Sequence, residues 1–308
     1  MASAAIATLC IVAGIAHAAY PEKPVTMIVP FPAGGPTDTV ARSIAQVMSK
    51  SLGQPVLIEN IGGAGGTIGV GRAVAAAPDG YTILLMHIGI SIAPSLYRTL
   101  KYDVNKDLEP ISLITEVPMT MVARKNFPPN NLKELLDYVK ANKATVSYAN
   151  SGIGSASHLC GMLFMSAIDT ELLTVPYKGT GPAMTDLLGG QVDFMCDQTT
   201  NTTSQIKGEK IRVYAVTSKT RVAALPTIPT MDEAGLKGFS VGVWNGLWAP
   251  KATPKAIIDR LNKALQDALK DKDVVDRFAS LGTVPEPANR QTPDVLRALV
   301  AAEIIKWA

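Results

Sequence analysis

Residues 25 to 31, "VTMIVPF", form an apolar run interrupted only by Thr26, the pattern of a strand buried on both faces. After the turn "PAGGPTD", the apolar residues Val40, Ile44, Val47, Met48 and Leu52 return at helical spacing, which predicts strand, loop and helix in that order. The series repeats. "PVLIEN" (55–60) reads as a strand, "IGGAGGTIGVGRAVAAA" as a glycine loop entering a helix that stops at Pro78-Asp79-Gly80, and "YTILLM" (81–86) as the next strand. Such alternation specifies a parallel sheet covered by helices.

A second series starts in the middle of the chain. "PMTMVARK" (118–125) reads as a strand, "NLKELLDYVKANK" (131–143) as an amphipathic helix and "TVSYAN" (145–150) as a strand. Then come "SGIGSASHLCGMLFMSA" as glycine loop and helix, "LLTVPY" as strand, "GPAMTDLLGG" as helix, "QVDFMC" as strand and "IRVYAVTS" (211–218) as strand. A proline-rich stretch, "ALPTIPTMDEAGLKG", leads to "FSVGVWNGLWAP" and to two or three helices from Pro254 onward. The fold class is α/β, with two doubly wound lobes joined by a hinge. Lobe 1 comprises residues 19–101 plus 225–308, and lobe 2, residues 102–224, is inserted into it, with crossings near 102–124 and 219–245. The last helix, "PDVLRALVAAEIIKWA", has neither a capping glycine nor a polar tail, so the chain is expected to continue past it.

Composition narrows the class. With 308 residues, 47% hydrophobic and 18% charged, the chain belongs with globular proteins, and a formal charge of +3 without basic runs speaks against a nucleic-acid partner. The first twenty residues, "MASAAIATLCIVAGIAHAAY", form an apolar stretch ending in Ala16-His17-Ala18, the small-x-small form of a signal-peptidase site. Residues 1–18 are therefore read as a signal peptide cleaved after Ala18, and a membrane anchor is disfavoured because the run is shorter than the roughly 20 residues a span needs. After cleavage Cys160 and Cys196 remain. They are expected to be two buried, unreactive thiols, although an oxidising compartment would permit a disulfide if they met. His87 and His158 without a CxxC pair do not make a zinc site, so no metal and no cofactor is expected.

The chemistry lies in the glycine loops. At the carboxyl end of a strand, Gly34 and Gly35 let the backbone approach an anion closely, and the following helix presents unpaired N–H groups and the positive end of its dipole. Thr37 or Asp38 is the candidate N-cap; Thr37 can instead offer its hydroxyl to a bound oxygen, while Asp38, which would repel an anion, is expected to orient N–H groups, Thr37 or a bridging water. The bland alternative is a tight turn before a capped helix. Neither "PAGGPTD" nor "GGAGGTIG" ends in the Gly-Lys-Ser/Thr of a Walker loop, and no stretch satisfies GxGxxG, which excludes nucleotide chemistry of those kinds. "SGIGSASHL" offers Ser151, Ser155 and Ser157 at a second helix start, able to complete the anion site from the other lobe. A serine hydrolase built on Ser155 and His158 is disfavoured, because GxSxG is absent. His158 is either structural or a ligand contact, Asp197 either a cleft residue or a loop cap, and Trp244 and Trp248 either wall the cleft or pack the crossing.

Four stretches, "YPEKPVTMIVPFPAGGPTDTVAR", "NIGGAGGTIGVGRAVAAAPDGYTILL", "YKGTGPAMTDLLGGQVDFMCD" and "AAEIIKWA", resemble the Bug (TctC-type) solute receptors of tripartite tricarboxylate transporters, in the family order and over essentially the whole mature chain. The resemblance implies a fold like the type II periplasmic binding proteins, a Venus flytrap closing on a ligand carboxylate, partly through ordered waters. It implies Phe31, Ala33, Gly34, Gly35, Thr37 and Asp38 on one side, Gly154, Ser155, Ser157 and His158 opposite, and Asp197 nearby. After "TILLM", where family members tend to show a small residue, this chain has His87-Ile88 before Gly89 and Ser91, so His87 and Ser91 are expected to shape the far end of the pocket. The implied ligand is a dicarboxylate, a citrate-like tricarboxylate or an aromatic carboxylate such as terephthalate. The implied partners are the permease subunits of such a transporter, with the receptor a periplasmic monomer and not an enzyme. An exported α/β enzyme acting on carboxylates, or a ligand-presenting partner of a membrane sensor kinase, are the alternatives.

Overall fold

Apolar runs and glycine turns become a mixed sheet with helices packed on it. The computed structural model describes residues 20–308, so the signal-peptide reading of residues 1–18 lies outside the described residues. The strands are β1 (Val25–Val29), β2 (Val56–Asn60), β3 (Thr82–His87), β4 (Leu108–Arg124), β5 (Ser147–Asn150), β6 (Leu173–Pro176), β7 (Phe194–Gln198), β8 (Ile211–Val216) and β9 (Gly242–Pro250). The helices are α1 (Pro36–Leu52), α2 (Thr67–Val74), α3 (Gly89–Leu96), α4 (Val104–Asp107), α5 (Leu132–Ala141), α6 (Ala156–Ala167), α7 (Thr180–Leu188), α8 (Thr199–Lys207), α9 (Lys255–Lys270), α10 (Lys272–Ser280) and α11 (Pro293–Lys306).

Along the sheet the order is β2-β1-β3-β9-β4-β7-β5-β6, with β8 also paired to β4. The expectation of parallel sheets holds only at the two ends: β2, β1 and β3 are mutually parallel, as are β6, β5 and β7. In the middle, β9 runs antiparallel to both β3 and β4, and β4 antiparallel to β7 and β8. The reason is β4 itself. This 17-residue strand, expected to begin at Pro118, begins at Leu108 and passes straight from one half of the molecule into the other. Leu108 to Pro118 pair with β9, and Met119 to Arg124 pair with β7 and β8, so the hand-over falls at Pro118/Met119. Once the chain has crossed extended, β9 lies antiparallel beside it on the first half.

Helices cover these halves by their apolar stripes. Val40, Ile44, Met48 and Leu52 of α1 are buried, and α1 packs on α9, whose Leu261, Leu265 and Ala268 are buried in the same core. Each such Leu or Met side chain contributes about 1.5–3 kcal/mol through removal from water. Gly53 ends α1 in the left-handed conformation, φ 76°, its N–H donating to Ser49 O. Trp244 and Trp248 are buried in β9 with ring centroids 6.2 Å apart, which places both in packing and neither in the wall of the cleft.

Two helices had no clear pattern in the sequence: α3, whose first five residues are buried and carry no polar face, and α8, "TTNTTSQIK", rich in residues of modest helix propensity. The cysteine expectation is also corrected. Cys160 of α6 and Cys196 of β7 form a disulfide, with Cα atoms 6.1 Å apart, because α6 packs directly over β7 and brings together residues separated by 36 positions.

Candidate functional site

The first loop is organised by one buried carboxylate. Gly34 takes φ 79°, and its N–H donates to Asp38 Oδ2 at 2.8 Å; Arg42 Nε donates to the same oxygen at 2.8 Å. Asn60 Nδ2, from the end of β2, donates to Asp38 Oδ1 at 2.9 Å and to the Phe31 carbonyl at 3.0 Å. Burial by itself would raise the Asp38 pKa, but these bonds from Arg42, Gly34 and Asn60 outweigh it and hold the carboxyl below its ordinary value. The carboxylate points back into its own loop and leaves Gly35, Pro36 and Thr37 facing the second half of the molecule.

His87 closes this side. At the end of β3 its ring stacks on Phe31, centroids 4.6 Å apart, and Nδ1 accepts the Gly89 N–H at 3.0 Å. Acceptance at Nδ1 leaves the proton of the neutral ring on Nε2. Burial pushes the pKa down to about 4, so the ring is an uncharged donor at neutral pH.

Across the cleft, Gly152 and Gly154 bend the β5–α6 loop with φ 106° and 84°. Ser155 caps α6, its Oγ accepting the His158 N–H at 3.2 Å. Ser157 Oγ accepts the Ser151 N–H at 2.8 Å and lies 2.7 Å from Ser151 Oγ. The His158 ring turns to the Gly154 N–H, 3.4 Å away, and not to the Ser155 hydroxyl, so this pair lacks the nucleophile–base contact of a hydrolase. Asp197 and Gln198 end β7, and Asp197 Oδ2 accepts from Asn201 Nδ2 at 2.7 Å. Burial drives the Asp197 pKa up to about 7, against the lowering bonds from Asn201 and Gln198.

These groups enclose a cavity of about 40 Å³ between the halves. Its lining includes the starts of four helices: Gly35 to Thr37 of α1, Ala156 and Ser157 of α6, Thr180 to Pro182 of α7, and Gln198, the N-cap of α8. Every helix start leaves backbone N–H groups without intrahelical partners and carries the positive end of a dipole. Among the described residues, no lysine or arginine lines the cavity. It can therefore hold a small anion by backbone and hydroxyl donors alone. Outward lies a wider hollow of about 630 Å³ that shares Phe31, Pro32 and Ser151 and adds Gly62 to Gly66, Tyr97, Tyr177 and Lys178. A separate groove of about 510 Å³ between α1 and α10 touches residues of the first half only, so it lacks the opposing wall.

Of the thirteen residues singled out in the sequence, Phe31, Ala33, Gly35, Thr37, His87, Ser157 and Asp197 line the inner cavity. Gly34 and Asp38 stand behind the loop, and Ser155 and His158 serve the α6 turn. Gly154 abuts the Tyr97 ring, and Ser91 is buried within α3 with its hydroxyl unpartnered. The sequence reading missed Thr180, Gly181, Pro182 and Gln198. A signal for the first three was present: "GTGP" opens α7 much as "GGP" opens α1. Among the described residues there is no cluster of three His, Cys, Asp or Glu able to hold a metal, and no helix is long and apolar enough to cross a membrane.

Residues 40–307 match the sequence model of TctC, the tripartite tricarboxylate transporter family receptor. A UPF0065 protein of Agrobacterium vitis, from the TAR-I ttuE-ttuC' intergenic region, is 50% identical over 99% of this chain and 89% of its own length. The structure of the periplasmic binding protein BugD superposes with a TM-score of 0.91 at 56% identity, covering 94% of this chain and 96% of that one. MatC from Rhodopseudomonas palustris, solved with bound malate, superposes with a TM-score of 0.90 at 42% identity, covering 94% and 98%.

Proposed function

This chain belongs to the tripartite tricarboxylate transporter receptor family of periplasmic solute-binding proteins, and from that membership and the geometry of its cleft we propose that it captures a small organic carboxylate and delivers it to the permease subunits of such a transporter. The observation that carries the reading is the meeting of four helix N-termini from both halves on one cavity without a cation. One ligand carboxylate sits there, taking N–H groups of α1 and α6 and the hydroxyls of Thr37 and Ser157. The rest of the ligand extends past Phe31 and Pro32 into the outer hollow, where Lys178 meets a second carboxylate. A C4 to C6 dicarboxylate spans these two places; malate in MatC is of this class.

No covalent step is involved. Ligand binding bridges the halves and shifts the hinge equilibrium toward the closed form, which is the state the permease reads. The Cys160–Cys196 disulfide fits an oxidising, periplasmic location. Micromolar affinity, about −8 kcal/mol, needs only a few charge-assisted hydrogen bonds and apolar contact with the ligand body. A thermal-shift screen of mono-, di- and tricarboxylates and aromatic acids tests the reading: dicarboxylates should raise the melting temperature most, by mass action on the folded state. A panel without a single stabilising carboxylate would overturn it.

A further inference from the structure

A receptor for anions ordinarily keeps carboxylates out of its pocket, yet Asp197 stands in the wall of the inner cavity, 1% exposed. Among the described residues its carboxyl is held by two neutral donors, the Asn201 amide, which donates to Oδ2 at 2.7 Å, and the Gln198 backbone N–H. A ligand carboxylate entering so small a space would meet a second carboxylate with no cation between them. Two carboxylates confined together cannot both stay ionised without a large cost, and one retains a proton.

Beyond the partial charge of the helix starts, the neighbouring elements, among the described residues, bring no cationic side chain to the inner cavity. From β3, His87 is neutral, its Nδ1 already accepting from Gly89. From β5, Tyr148 gives its hydroxyl to the Ser157 carbonyl at 2.6 Å, and burial raises its pKa further from neutrality. From β4, Thr120 donates to the Asp197 carbonyl, not to its carboxyl. On α6, burial lowers the His158 pKa, and its ring faces Gly154. Asp38 and Arg42 of α1 are paired with each other, behind the loop. α7 contributes Thr180 and α8 Asn201, both uncharged. Lys178 lines the outer hollow and not the inner cavity.

Resting on the carboxylate-receptor reading above, we propose that Asp197 enters the complex protonated and donates its hydrogen to an oxygen of the bound carboxylate, so that the receptor takes up a proton with its ligand. Asp197 then discriminates in favour of acids and against esters and amides of the same shape, because a carboxylate accepts a charge-assisted hydrogen bond roughly twice as strong as the neutral bond an ester or amide carbonyl accepts. No bond other than the Asp197 O–H changes: the proton comes from solvent when the free side chain is ionised and returns there on release. The raised pKa that burial already imposes in the free protein places this exchange near neutrality.

Calorimetric titration with L-malate, adipate and fumarate, dicarboxylates that are largely or fully ionised at both values, at pH 6 and pH 8, the latter in two buffers of different ionisation enthalpy, tests this. Affinity is expected to be about tenfold weaker at pH 8 than at pH 6, with nearly one proton absorbed per ligand at pH 8, as linkage requires when a group titrating near 7 must be protonated to bind. In Asp197→Asn, affinity should cease to change with pH. Binding of equal strength at both pH values with no proton uptake overturns the proposal and leaves the receptor reading standing, as does a pH dependence that survives in Asp197→Asn. Failure of all three acids to bind at either pH removes the carboxylate reading, and this inference with it.

Discussion

Tyr97, which ends α3, donates its hydroxyl to the Ile153 carbonyl at 2.9 Å and so ties the first half of the molecule to the second across the mouth of the cleft. The bond can exist only while the two loops are together. Tyr97→Phe should therefore remove about 0.5–1.5 kcal/mol from the closed form alone. Ligand affinity is expected to fall between about twofold and tenfold, with the melting temperature of the free protein little changed. Calorimetry on this variant decides it; unaltered affinity would mean that the bond is not part of the liganded state.

Gly65 bears on the same closure. A Cβ at this position would lie 2.3 Å from the Ile153 carbonyl oxygen, and the residue has φ 63°. Gly65→Ala should hold the halves apart and weaken binding by more than about tenfold, since a backbone atom of the opposite loop cannot swing aside as a side chain can. Gly71→Ala is the control: its Cβ would meet nothing, and alanine in a helix interior should be neutral or stabilising by about 0.5–1 kcal/mol. Small-angle scattering with and without ligand separates the two variants.

Loss of the Asp38 carboxylate should loosen the whole first loop. Asp38→Ala takes one acceptor from the exposed Gly34 N–H and one from the half-buried Asn60 amide, which keeps the Phe31 carbonyl, at a cost of about 0.5–1.5 kcal/mol for each bond, and binding should weaken for every carboxylate, not for one. The pH sign follows from the lowered pKa. The stabilisation is fully present above the unfolded-state value and is lost as pH falls through the lower folded-state value. Wild type and Asp38→Ala should thus converge in stability only in strong acid, which denaturant titrations below pH 4 would reveal or refute.

Asp197 has the opposite sign. Its folded pKa, raised to about 7, makes a contribution present in full below the unfolded carboxylate value and lost as pH climbs from there to about 7. Ligand-free Asp197→Asn should gain on the wild type over that interval and hold a constant lead above it. Melting curves from pH 4 to pH 8 measure this without any ligand, and parallel curves for the two proteins would contradict it.

The Cys160–Cys196 disulfide joins residues 36 positions apart and tethers α6, whose first turn lines the inner cavity, to β7, which carries Asp197 next to Cys196. Replacing both cysteines by alanine should cost about 2–4 kcal/mol of stability. Affinity should fall less than stability does, because the Ser155 cap and Ser157 bonds still shape the loop. Parallel unfolding and binding measurements on the double variant test this; a binding defect exceeding the stability loss would assign the disulfide a direct part in the site.

Much was readable from the chain alone, and the reasons are local. Most strand and helix identities follow from hydrophobic period, α3 and α8 being the exceptions. The left-handed Gly34 follows from turn chemistry within seven residues, and the absence of lysine in "PAGGPTD" excludes a Walker-type phosphate loop; the N-cap of α1, expected at Thr37 or Asp38, is instead Gly35, because Pro36 takes the first helical position and draws Thr37 and Asp38 into the first turn. The resemblance carried by four stretches named the family that the residue 40–307 match shows.

Tertiary structure alone decided the rest. It made β4 one continuous strand through both halves, paired Cys160 with Cys196, sent Asp38 behind its loop while leaving Thr37 in front, and added the α7 and α8 starts to the cavity. These are relations between residues far apart in the chain, such as Phe31 and Gln198, which line one cavity from opposite halves. Periodicity and turn preference act over a few residues and report only which face is apolar or where the chain bends. Which bends meet is set by sheet order and by the place where the crossing strand changes partners, and that depends on the packing of the whole chain.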